Sequence, residues 1–235
     1  MSNDPGARRL RILHQLVDSV ESPVKTKRLC EVSAEVIGMS GAGIMLMSED
    51  VPHGAVCSTD ATSALIEDLQ FSLGEGPCVD AFHQDRPVTE PDLANPRTPR
   101  WPAFAGPIVD AGARAIFAFP LQVGAVRLGV LDFYRTEPGE LTHDQHADAL
   151  VSAGIVAQAL LVMQARAPEG TLSVDLEASA DFKYVVHQAA GMVAAQLDVS
   201  VGQALVRLRA YSFGNERSLN DVAQDVVARK LRFGS

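Results

Sequence analysis

The last fifty residues constrain this chain most. Ser200-Val201-Gly202-Gln203 and Ser218-Leu219-Asn220-Asp221 each open with a hydroxyl residue that can cap a helix. The first is a capping box, in which serine and glutamine satisfy each other's backbone donors. Ahead of them, Phe182, Val185, Val186, Ala189, Met192 and Val193 recur at helical spacing. They predict a first helix that starts at Asp175 or Ser179, buries Leu176 as well and reaches Leu197. Ala204, Leu205 and Leu208 mark the inner face of a second helix; Leu219, Val222, Val226 and Val227 mark that of a third. Ser212-Phe213-Gly214-Asn215 supplies the turn between them. After the break at Pro168-Glu169-Gly170 the chain therefore reads as purely helical, a bundle so small that it needs a partner or a long first helix.

The residues before that break follow another rhythm. Asp4-Pro5 and Ser22-Pro23 are helix starts. The first helix carries Leu10, Leu13, Leu16, Val17 and Val20 on one stripe; the second turns Val24, Val32 and Val36 inward and stops near Gly38. Gly43–Ser48 and Ala55–Thr59 then read as a hairpin, and Thr62–Phe71 as a helix through Leu65, Ile66 and Leu69. Arg86–Thr89 is a strand demoted to an edge by Pro87. Asn95–Pro107 is irregular, with one helical turn near Phe104. Ala113–Val123 and Val126–Tyr134 are the strongest strands, joined at Gly124. Thr142 and Gln145 form a capping box for a helix that runs to about Arg166. The order predicts an α+β fold with an antiparallel sheet and flanking helices.

Net charge is −9, which opposes binding to polyanions, but the charge is uneven. Val199–Ser235 carries +3, leaving −12 on the rest, and so predicts a local footprint for a polyanion. Cys30, Cys57 and Cys78 have no paired spacing; they argue against a disulfide framework or a zinc site and fit a reducing cytoplasm. No signal peptide is expected, since residues 1–20 lack a continuous apolar block. Ala149–Ala165 is apolar but short of the roughly 20 residues a bilayer demands, and is read as a buried or dimer-forming helix. Leu150, Gly154, Ala157, Leu161 and Gln164 give it a heptad-like seam.

The motif series in the tail is Gln188-Ala189-Ala190-Gly191-Met192, Gln203-Ala204-Leu205, Leu208-Arg209-Ala210, then Asn215 and Leu219. It resembles the ANTAR module, a small helical domain of bacterial antiterminators that binds nascent RNA. Ala190 departs from the pattern, since many members carry lysine there. Upstream, Leu73-Gly74-Glu75-Gly76-Pro77-Cys78-Val79-Asp80-Ala81 with Pro87-Val88 and Asp92-Leu93 is similar to a GAF domain of the kind fused to ANTAR modules in actinobacteria. The resemblance implies a GAF-like sensor over 8–166, a linker at 167–174 and a three-helix ANTAR bundle over 175–233.

It also implies RNA contacts from Gln188, Ala189, Gly191, Gln203, Ala204, Arg207, Arg209, Tyr211, Ser212, Asn215 and Arg217. The partner would be paired RNA hairpins of a nascent transcript, held by a homodimer whose arrangement the sensor controls. Read without the resemblance, Ala189, Gly191 and Ala204 are packing residues and the arginines a solvated surface. Cys78, His83, Trp101 and Phe104 are candidates to line a small-molecule site in the sensor, with no cofactor specified. No nucleophile–base set, phosphate loop or metalloprotease motif is present, so an enzyme is not expected. The alternative is a ligand-sensing signalling protein whose C-terminal helices bind a protein or DNA.

Overall fold

The computed structural model describes residues 5–17, 26–48, 51–165 and 181–234. The elements run α1 (Pro5–Val17), α2 (Thr26–Ile37), β1 (Gly41–Ser48), β2 (Val51–Ser58), α3 (Ala61–Leu73), α4 (Pro77–Gln84), β3 (Val88–Glu90) and α5 (Ala105–Asp110). Then come β4 (Ala115–Val123), β5 (Val126–Arg135), α6 (His143–Ala165), β6 (Asp181–Phe182), α7 (Tyr184–Leu197), α8 (Val201–Gly214) and α9 (Leu219–Val227).

The strands form one antiparallel sheet in the order β3-β4-β5-β1-β2-β6. Side chains on a strand alternate between faces, and here the two faces meet different helices. Phe117, Phe119, Leu131, Phe133 and Ile44 point into a core with α1, α2 and α6. Ile116, Ala118, Val130, Met45 and Met47 point the other way, into a cluster with α3, α4 and α5 that continues into the C-terminal bundle. β3 lies at the edge that Pro87 demands.

The sequence misplaces the inner face of α1. Ile12 and Leu16 are buried while Leu10 is 62 % exposed. The reason is Arg8, a buried arginine whose guanidinium donates to Asp144 (2.9 Å) and Asp148 (2.5 Å) on α6. Anchoring Arg8 inward rotates Leu10, about 200° round the helix, toward solvent. The start signal at Ser22-Pro23 and residue Val24 lie outside the described residues.

The cysteine expectation is also corrected. Cys30 of α2 and Cys57 of β2 form a disulfide, with Cα atoms 6.4 Å apart, and only Cys78 is free. Their 27-residue separation carries no recognisable spacing; it is the packing of α2 across β2 that makes them neighbours.

The capping box at α6 forms as the sequence predicts: Thr142 N–H donates to Gln145 Oε1 (3.0 Å) and Gln145 N–H to Thr142 Oγ1 (3.2 Å). α6 is long and apolar enough to cross a membrane, yet Ala149, Ala153, Val156 and Leu160 are buried against the sheet and its helices. Of the heptad-like seam, Ala157 joins this core and Leu150 faces outward.

The C-terminal region is not purely helical. Phe182, expected inside a helix, belongs to β6, which pairs with β2 through Gly54↔Phe182 and Ala55↔Asp181. β2 would otherwise be the sheet's last strand, and its unpaired backbone groups attract the incoming segment. The first bundle helix therefore begins at Tyr184; Asp175, Leu176 and Ser179 lie outside the described residues. α7, α8 and α9 pack on one another, with Ala189, Ala190, Val193, Ala204, Leu208, Val222 and Val226 at their centre.

Candidate nucleic-acid interface

The motif residues of the bundle divide by depth. Ala189 and Ala204 are fully buried at the helix crossings, as is Ala190, and Ser212 is buried. Gln188, Gly191, Gln203, Arg207, Asn215 and Arg217 are exposed. A lysine in the place of Ala190 would point into the bundle, so alanine suits this core. Gln203 is occupied by its cap: its Oε1 accepts from Ser200 N–H at 3.1 Å while its own N–H donates to Ser200 Oγ at 3.2 Å.

Between α8 and α9 the polar residues hold the turn. Ser212 Oγ donates to the Arg217 carbonyl, and Asn215 Nδ2 to the Tyr211 carbonyl (2.8 Å). Tyr211 stands edge-on to Phe233, centroids 5.5 Å apart. Arg217 pairs with Asp225 at 2.7 Å, a contact that raises the arginine's affinity for its proton. Phe213 is left 72 % exposed.

Arg209 is the exception among the cations. Its Nε (3.1 Å) and Nη2 both donate to the Phe71 carbonyl in the last turn of α3, and its charged group lies 5.9 Å from the Phe71 ring. Loss of water pulls its pKa down to about 10. Gly74, the C-cap of α3 with φ of 69°, packs directly under that guanidinium, and a Cβ there would collide with it. The glycine of the loop motif thus provides both a left-handed helix end and space for an arginine from the bundle.

Other contacts tie the same joint. His187 Nε2 donates to the His53 carbonyl (3.1 Å), the two imidazoles lie 5.4 Å apart, and the Phe71 ring stands edge-on to His187. Lys183 pairs with Asp68 at 2.8 Å. Burial, and the proximity of a second positive site, lower the pKa of both histidines.

A cleft of about 1020 Å³ opens beside this joint. Arg209, Ser212, Phe213 and Arg217 line one side; Gly74, Glu75 and Ala103 line the other. Three residues of the sequence-predicted RNA set are therefore brought together here, whereas Gln188, Ala189, Gly191, Gln203, Ala204, Arg207, Tyr211 and Asn215 are not among its lining.

Of the four candidates for a small-molecule site, Cys78, Trp101 and Phe104 are packed into one apolar cluster. Cys78 is buried, its N–H donates to Gln70 Oε1 (2.7 Å), and burial pushes its thiol well up, against a thiolate. Trp101 is buried with its Nε1 donating to Asp80 (3.0 Å), and Phe104 packs edge-on against it. His83 is exposed. None of the four lines this cleft or the smaller cavity, of about 70 Å³, between α3 and β2.

Sequence reasoning missed the polar groups behind that smaller cavity. Glu67 and Gln70 of α3 and Asp132 of β5 are all buried, and Gln70 Nε2 donates to Asp132 at 3.1 Å. Signals existed: Ser63, Glu67 and Gln70 share a helix face with Ile66, and Asp132 interrupts the run Val130-Leu131-Asp132-Phe133-Tyr134.

Residues 26–161 match the GAF domain family, and residues 175–227 the ANTAR domain. The chain belongs to the GAF family and carries an ANTAR domain. The GAF fold recurs in two solved structures. The GAF domain of an Acinetobacter phosphoenolpyruvate-protein phosphotransferase superposes with a TM-score of 0.52 at 14% identity, covering 70% of this chain and 98% of that one. Its counterpart from Coxiella burnetii gives 0.50 at 16% identity with the same coverage. Both likenesses concern the fold alone. No curated protein matches this chain. GAF and ANTAR are regulatory domains, and the joint described above is where the two meet.

Proposed function

We propose that this protein is an RNA-binding transcription antitermination regulator, in which the ANTAR helices bind tandem hairpins of a nascent transcript. The cleft beside the joint carries the reading. It offers an exposed aromatic ring, Phe213, beside Arg217. Unstacked loop bases are recognised by stacking on aromatic or guanidinium planes while cations hold the backbone. Arg207 and the basic C-terminal residues Arg229, Lys230 and Arg232 are exposed elsewhere on the same bundle.

The GAF domain acts as the sensor. A signal shifts the protein only by favouring one arrangement over another, and the arrangement in question is the docking of Arg209 on Phe71. Held there, Arg209 is withdrawn from RNA; undocked, it joins Arg217. The working unit is a homodimer formed through α6 and the first bundle helix, with the exposed Leu150 and Val162 on α6. Its place is the cytoplasm, where transcripts are made.

Mobility shifts with a tandem-hairpin RNA and with duplex DNA of the same sequence test the assignment. Hairpin RNA should bind more tightly, with affinity falling steeply as salt rises. Arg217→Glu should abolish binding with helicity unchanged. Equal preference for duplex DNA, or undiminished binding by both Arg209→Glu and Arg217→Glu, would dismiss the reading.

A further inference from the structure

The segment after α9 places cations where its backbone would prefer other residues. α9 ends in a Schellman turn: Lys230 N–H donates to the Asp225 carbonyl (2.8 Å) and Arg229 N–H to the Val226 carbonyl (3.0 Å). The left-handed residue of that turn, a position that favours glycine, is Arg229, with φ of 59°. Strained residues of this kind cluster at functional sites.

Beyond the turn the chain folds back on the bundle. Phe233 N–H donates to Gln196 Oε1 of α7 (3.0 Å), and the Phe233 ring stands edge-on to Tyr211 of α8, centroids 5.5 Å apart. Arg207 lies one turn before Tyr211 on the same side of α8, and Arg232 is next to Phe233 in the chain. Arg207, Arg229, Lys230 and Arg232 are all exposed, and among the described residues none of them forms an ion pair. Arg209 and Arg217 differ, the first docked on the Phe71 carbonyl and the second paired with Asp225. The four unpaired cations stand out on a chain whose net charge is −9.

This surface faces away from the cleft. Tyr211 is turned by roughly 100° to 160° around α8 from Val206, Ala210 and Phe213, the exposed residues of that helix that line the cleft. Docking of Arg209 on Phe71 therefore leaves the four cations uncovered.

We propose that Arg207, Arg229, Lys230 and Arg232, set around the Tyr211–Phe233 pair, are a second RNA contact that grips phosphates whether or not Arg209 is docked. This rests on the RNA reading above and divides the work between two surfaces. The cleft reads loop bases and is gated by the joint; the surface after α9 holds the backbone and is not gated. Phosphate contacts fix position without carrying sequence, so the sensor controls recognition rather than encounter. Arg229–Phe233 lie beyond residues 175–227, which match the ANTAR domain.

The test uses tandem-hairpin RNA selected by the full chain from a random-loop pool, with binding measured against salt. Arg229→Ala, Lys230→Ala and Arg232→Ala together should lower the slope of log affinity against log salt by about 2, at about 0.7 per single-strand phosphate contact. Over one decade of salt that is about a hundredfold in affinity, lost equally for the selected loops and for scrambled ones. Arg207→Ala alone should lower the slope by about 0.7. Phe213→Ala in the cleft should do the reverse, keeping the slope and losing the preference for the selected loops. Phe233→Ala retains every cation but frees the segment, and should weaken binding to all loops alike. An unchanged slope in the triple variant, with hairpin RNA still bound, would overturn the second contact and leave the cleft reading standing. Full binding by Phe233→Ala would overturn it too. Failure of the pool to yield any bound RNA would instead remove the RNA reading itself, and the second contact with it.

Discussion

The guanidinium of Arg209, in the second ANTAR helix, donates twice to the carbonyl of Phe71 at the end of α3 in the GAF domain. That carbonyl belongs to the last turn of its helix, where backbone acceptors have no intrahelical partner and the helix dipole favours a cation. Arg209→Ala should therefore cost about 1–3 kcal/mol, the value of a hydrogen bond to a charged group. Urea denaturation measures it. Gly74→Ala should act in the same direction, because its Cβ meets the same guanidinium and its backbone is left-handed. The combined variant should cost less than the two losses added.

Acid should loosen the joint. His53 and His187 have pKa values lowered by burial, so the folded state holds fewer protons than the unfolded one as pH falls. Stability is then lost as pH drops below roughly 6.5, the ordinary histidine value, toward the lowered native values. Arg209 disfavours a charge on His187 further. His187→Gln should flatten the acid limb of a plot of stability against pH, and an unchanged acid limb would remove the histidines from the account.

Alkali should act through the opposite sign. Burial raises Asp132 to about 7 and pushes Glu67 well up, so the folded chain binds more protons than the unfolded one. Stability conferred by those protons is present below the unfolded carboxylate value of roughly 4 and is lost as pH rises toward 7 and beyond. Glu67→Gln should be the less pH-sensitive protein, by on the order of 2 kcal/mol between pH 5 and pH 8. Denaturant titrations at the two pH values check it.

Reduction should weaken the GAF core. The Cys30–Cys57 bridge closes a loop of 27-residue separation, and removing it should cost about 3 kcal/mol. For a chain of this size that is a fall in Tm of roughly 6–12 °C, read by unfolding with and without dithiothreitol. Cys30→Ser should reproduce the fall and lose its response to the reductant.

What could be read from the sequence was whatever is local. The capping boxes at Thr142–Gln145 and Ser200–Gln203 form as their spacing demands. The sheet strands and bundle cores follow the apolar periods, and the loop motif with the tail series pointed to both families. What failed was long-range. Nothing near Phe182 announces that β2, more than 120 residues earlier, has an open edge for it. Leu10 was misassigned because the inward anchor is an arginine whose carboxylate partners lie on α6. Cys30 and Cys57 meet only after α2 crosses the sheet. Arg209 read as a surface cation because the acceptor that withdraws it is a backbone carbonyl in the other domain, invisible to any side-chain pattern.

The short strand at Asp181–Phe182 means that sensor and effector share one ladder rather than merely touching. Peeling the effector away uncovers main-chain groups of Gly54 and Ala55, so the detached state carries a raw seam that seeks a substitute. Separating the two domains therefore means unstitching main chain, not merely parting side chains.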